Sequence, residues 1–142
     1  MDDLTRMRLM AQLRRHEGVR TTVYFDSEGV ATVGCGHNLE SRPLSQAVID
    51  LMLTEDVAAT EQGVFAVLPR VADLSSARQG AIYNLAFNVG VAGLLGFSKM
   101  LAAIWEERWR DAARELLDSK YATQVGPRAT ELAVQLETDQ WA

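Results

Sequence analysis

With 142 residues, 48% of them hydrophobic and 23% charged, the chain has the make-up of a globular protein, and its single cysteine, Cys35, excludes an internal disulfide. A chain of this length buries roughly two thirds of its unfolded surface, so it needs neither a disulfide nor a metal to fold. The net charge of −5 is uneven: residues 1–44 carry six basic and six acidic side chains and the remainder eight and thirteen, which argues against nucleic acid as a partner and against long-range attraction to an anionic cell wall.

Leu4, Met7, Met10, Ala11 and Leu13 recur at helical spacing and predict a short amphipathic helix that Gly18 should stop. The N-terminus, Met1-Asp2-Asp3, lacks the basic start and apolar core of an export signal, and no apolar run approaches the roughly 20 residues of a membrane span. A cytoplasmic site of synthesis is therefore expected.

Thr21 to Phe25 is rich in β-branched and aromatic residues and reads as a strand, Ser27-Glu28-Gly29 as a turn, and Val30 to Val33 as the returning strand. Gly34-Cys35-Gly36 then interrupts the pattern, with Cys35 expected as a small buried filler. Ser45 can cap a helix holding Val48, Ile49, Leu51 and Met52, and Thr54 a continuation through Val57, Ala58 and Phe65 that Pro69 ends. Ser75 can cap a helix whose apolar face holds Ala81, Ile82, Leu85, Ala86 and Val89. Gly90, Gly93 and Gly96 mark a connection, and helices follow at about 98–106, 109–118 and 128–137, the last opened by Pro127. This order predicts an α+β fold, mostly α. A small hairpin lobe with its connecting helix would span about 14–60, and residues 1–13 plus 61–142 would form a helical lobe, with a substrate cleft between lobes.

The hairpin carries the candidate chemistry. With that turn, Asp26 faces Val30 and Tyr24 faces Thr32, which puts Tyr24, Asp26 and Thr32 on one face. Asp26 and Thr32 are then diagonal neighbours, roughly 7 Å apart at Cβ, with room for a water between them. Glu17 ends the preceding helix and can supply a second carboxyl, partial burial favouring its protonated form. Glycoside hydrolysis needs such a pair, one acid for the leaving oxygen and one carboxylate to activate water. The same residues also fit a solvated helix end and a turn cap, and spacing alone does not separate these readings. No His, Cys, Asp and Glu cluster has metal-ligand spacing, so no metal or other cofactor is expected.

Glu17-Gly18, Tyr24, Asp26, Gly29, Thr32, Gly34 and Gly36-His37 together resemble the active-site signature of the phage-type lysozymes, muramidases of one glycoside hydrolase family. Arg78 to Gly90, Gly96-Phe97-Ser98, Arg108-Trp109, Ala112-Ala113, Gly126 to Ala129 and Trp141 are similar as well, so the likeness covers nearly the whole chain. The resemblance implies a two-lobed lysozyme-like fold. It also implies a bacteriolytic, endolysin-like enzyme that cuts the β-1,4 bond from N-acetylmuramic acid to N-acetylglucosamine in peptidoglycan. Glu17 would be the general acid, while Asp26 and Thr32 would hold water on the opposite sugar face. That arrangement is inverting and calls for carboxyl groups about 6.5–9.5 Å apart.

By the same resemblance Gly36 and Phe87 would line the sugar groove. Asn38, Met100 and Glu115 occupy substrate-contacting positions where relatives commonly carry other residues. Glu28 would pair with Lys120, and His37 would pair with a nearby carboxylate for stability. The segment from His37 to Ser45 is shorter than in the best-known members. A monomer acting on glycan strands is implied, held in a host cytoplasm until a pore-former releases it. The competing functions are a lytic transglycosylase, which does not need the Asp–Thr water holder, and a non-catalytic peptidoglycan-binding module.

Overall fold

A computed structural model describes residues 1–141, which fall into two compact units, residues 1–50 and the remainder from Leu51. The architecture is mostly α with one small sheet, as the order of sequence signals predicts.

In the first unit, helix α1 (Asp3–Glu17) opens with the Asp2 carboxylate accepting from the Thr5 N–H at 2.7 Å, which satisfies one of the free amides of the first turn. It ends where Gly18 turns to φ 74°, with the Gly18 N–H donating to the Arg14 carbonyl. No residue of α1 is buried. Strands β1 (Arg20–Phe25), β2 (Ala31–Gly34) and β3 (His37–Asn38) form an antiparallel sheet in that order. Tyr24 pairs with Thr32 and Phe25 with Ala31, the register expected from a Ser27-Glu28-Gly29 turn, and Thr32 in turn pairs with Asn38.

Strand β3 is too short to leave a periodic signal. The Gly34-Cys35-Gly36 break is the turn that sends the chain into it, with both glycines at positive φ. Cys35, at the tip of that turn, is exposed, which corrects the expectation of a buried filler: a residue between two left-handed glycines projects away from the sheet.

Helix α2 (Gln46–Val67) runs unbroken, so Thr54 lies inside it and caps no second helix. The Ser45 hydroxyl accepts from the Val48 N–H at 3.4 Å, and α2 ends before Pro69, which opens a short 3-10 helix, Pro69–Asp73. Helix α3 (Ser76–Leu95) extends through the expected glycine connection, bending at Gly90, where φ is 75°. Helices α4 (Ser98–Trp105), α5 (Trp109–Leu117), α6 (Lys120–Val125) and α7 (Pro127–Thr138) complete the second unit. Six-residue α6 went unread because it is too short to show a face.

The core of this unit joins Ile82 and Leu85 of α3, Met100 and Ile104 of α4, Leu116 of α5, and Leu132 and Leu136 of α7. Arg78 locks α3 to α7. Its guanidinium lies 3.7 Å from the centre of the Trp109 ring and its Nε donates to the Leu136 carbonyl at 3.0 Å. Asp139, which ends α7, accepts from the Ser75 hydroxyl. Among the described residues no single helix is long and apolar enough to cross a membrane.

Candidate active site

In the first unit, Asp26, Glu28 and Thr32 of the hairpin are linked through Val30. The Asp26 backbone closes the hairpin, its N–H donating to the Val30 carbonyl at 3.1 Å and its carbonyl accepting from Gly29 at 3.0 Å. Its side chain then folds over the turn: Oδ1 accepts from the Glu28 N–H at 2.8 Å and the Val30 N–H at 2.9 Å. The turn-capping role and the chemical role thus fall on one carboxylate, divided by oxygen. Oδ2 carries no hydrogen bond among the described residues.

Thr32 is buried, at 4% exposure, and its hydroxyl donates to the Val30 carbonyl at 3.0 Å. Val30 therefore tethers both partners, giving its N–H to Asp26 and its carbonyl to Thr32. With its proton committed, Thr32 Oγ1 keeps only acceptor lone pairs to offer a third group. Tyr24, paired with Thr32 across the strands, carries the Arg20 guanidinium 4.8 Å from its ring centre.

Glu17 is exposed at the last position of α1. Its carboxyl lies against Gly36: a β-carbon built on Gly36 would stand 3.0 Å from Glu17 Oε2. The structure therefore brings Glu17 and Gly36 together, and separately groups Asp26, Glu28 and Thr32 around Val30.

The supporting residues have identifiable contacts. Asn38 Oδ1 accepts from the Glu40 and Ser41 N–H groups at 2.9 and 2.8 Å, organising the loop after β3. His37 Nε2 contacts the Arg42 carbonyl at 2.8 Å, a backbone partner in place of the expected carboxylate, because the short loop brings that carbonyl to the edge of the ring. Glu28 sits in the exposed hairpin turn, and Lys120 is the first residue of α6.

In the second unit, Phe87 is 43% exposed and lines a cleft of about 510 Å³. Leu53, Val57 and Glu61 of α2 and Tyr83 and Asn84 of α3 also line this cleft, with Arg128 and Trp141. Arg128 is pinned there, its Nε donating to Asn84 Oδ1 at 2.8 Å. Burial, with the Glu61 carboxylate nearby, raises the Tyr83 phenol above its ordinary pKa. Aromatic faces beside amide and guanidinium donors suit a polar ligand with an apolar side. Glu61 and Tyr83 were not read as site residues; they resemble ordinary helix positions, and only the fold puts them on one wall.

Met100 and Glu115 border a second, more polar cleft with Ser98, Lys99, Asp118 and Ser119. Met100 is 1% exposed and packs in the core, so little of it reaches that cleft. Among the described residues no group of three or more His, Cys, Asp or Glu side chains could hold a metal.

A mostly helical chain with one small three-stranded antiparallel sheet is consistent with a lysozyme-like fold, the class of a glycoside hydrolase. The phage lysozyme family profile matches residues 14–133, and the chain belongs to that family. It is 29% identical to the pre-baseplate central spike protein Gp5 of Enterobacteria phage T4 over 96% of its own length, but spans only 29% of that much longer protein. It is 26% and 25% identical to probable T4-type lysozymes 2 and 1 of Dictyostelium discoideum, covering 94% and 91% of their lengths.

Proposed function

We propose that this chain is a peptidoglycan muramidase that hydrolyses the β-1,4 bond between N-acetylmuramic acid and N-acetylglucosamine with inversion. The observation that carries the reading is the division of the Asp26 carboxylate, one oxygen fixed by the turn and the other without a described hydrogen bond, with Val30 tethering both it and a threonine whose proton is already given away. A water there gives one hydrogen to Asp26 Oδ2 and the other to Thr32 Oγ1, so its lone pair points outward as a nucleophile. Glu17 donates its proton to the glycosidic oxygen as that bond breaks. The water attacks the anomeric carbon from the opposite face and passes its proton to Asp26.

Family membership supports the substrate class, since lysozymes act on peptidoglycan. The reading includes bacterial cell lysis as the outcome and release from a host cytoplasm as the route to the wall. The grouping of residues 14–60 as the hairpin lobe with its helix, and of 1–13 with 61–142, belongs to the same proposal.

Mass analysis of products from purified peptidoglycan tests it. Each bond cut should add one water and leave one new reducing sugar, first released as the α anomer by proton NMR. Anhydro ends identify a lytic transglycosylase, and bound but uncut glycan identifies a binding module.

A further inference from the structure

We propose that Arg42 is a positioning residue for Glu17, acting through a backbone seat at Gly36; the inference rests on Glu17 being the acid of the reaction above. The Arg42 Nη2 donates to the Gly36 carbonyl at 2.6 Å, a charge-assisted bond across six residues. The loop that returns Arg42 to this point is closed at both ends. Asn38 Oδ1 accepts from the Glu40 and Ser41 N–H groups, the Arg42 N–H donates to the Asn38 carbonyl at 3.0 Å, and His37 Nε2 meets the Arg42 carbonyl.

The face of Gly36 that a side chain would occupy is taken by Glu17, whose Oε2, Cδ and Cγ would stand 3.0, 3.4 and 3.6 Å from a β-carbon there. The carboxyl therefore rests on bare backbone, and Arg42 fixes that backbone. A long flexible acid at an exposed helix end has no other described hydrogen bond to hold it. The seat supplies the missing constraint.

Gly34 provides an internal control. It flanks the same turn at φ 67° against 70° for Gly36, yet a β-carbon on it would meet nothing within 4 Å. Gly34→Ala and Gly36→Ala thus carry the same backbone strain and differ in the contact with Glu17.

The experiment measures kcat and KM on solubilised glycan strands, together with the carbon-13 carboxyl resonance of Glu17. Displacing an acid by about 1 Å costs up to about 100-fold in rate. Arg42→Ala and Gly36→Ala should therefore lose roughly 10- to 100-fold in kcat with KM within about twofold. Arg42→Lys should recover part of the loss, since an ammonium still donates to the carbonyl. Gly34→Ala, which carries the same strain without the contact, should lose clearly less kcat than Gly36→Ala. The Glu17 resonance should move in Arg42→Ala and Gly36→Ala and stay in place in Gly34→Ala.

An unchanged kcat in folded Arg42→Ala, or equal losses in Gly34→Ala and Gly36→Ala, overturns the seat while leaving the muramidase reading intact. A parent protein that cuts no glycan removes the muramidase reading. The carboxyl resonance still decides the seat in that case: an unmoved signal in Gly36→Ala overturns it.

Discussion

Two carboxylates in the hairpin unit are held in different ways, and their variants should separate accordingly. The Glu17 side chain makes no hydrogen bond among the described residues, so Glu17→Gln should leave the melting temperature unchanged and lower glycan cleavage by at least about 100-fold, the scale of a general acid. Asp26 has two tasks on two oxygens. Asp26→Asn retains an Oδ1 acceptor for the Glu28 and Val30 N–H groups, so it should fold normally and lose most of its rate. Asp26→Ala removes the turn cap too, and should cost a further 1–3 kcal/mol or so in denaturant unfolding. Equal stability of the two variants would show that the cap contributes nothing.

Helices of the second unit are fastened by few polar ties around a large apolar core, and Arg78 is central among them. It is stacked on Trp109, bonded to the Leu136 carbonyl and 3.5 Å from Asp139, with its side chain 15% exposed. Arg78→Ala removes a cation–π contact and leaves a carbonyl without its partner, so stability should fall by about 2 kcal/mol, read as a lower melting temperature with the far-UV spectrum unchanged. These ties were invisible in the sequence, where Arg78 is one basic residue in a helix and its partners lie 31 to 61 positions away. What could be read were local signals: Gly18 as a stop, the hairpin turn, Pro69 and Pro127 at helix boundaries, and the apolar face from Ala81 to Ala86. Thr54 misled because a capping residue type also fits a helix interior when the chain on both sides stays helical. Within the hairpin, the pairing of Tyr24 with Thr32 and the turn at Asp26 were legible from strand alternation, whereas the roles of Glu17, Asp26 and Thr32 rest on the resemblance. Arg42 was not legible, because it acts on a backbone carbonyl, which leaves no mark on the identity of the residue it touches.

Charge is the property of the whole molecule that sets it apart from a cationic wall-binding enzyme. All of the net −5 arises beyond residue 44, and peptidoglycan is itself anionic. Attraction over distance therefore contributes nothing to encounter, and added salt has only repulsion to screen. The KM on purified walls should hold steady or fall between about 10 and 150 mM sodium chloride, over which the screening length shortens from about 30 to 8 Å. A rise in KM over that range would point to a local basic surface that governs binding despite the overall balance.

The exposed tip of the turn between β2 and β3 has a practical consequence. Because the chain has one thiol, a maleimide dye would attach at Cys35 alone, in unmodified protein. The next residue abuts Glu17, so the label's emission would report the arrival and departure of a bound chain in real time, turning an accident of composition into a built-in sensor.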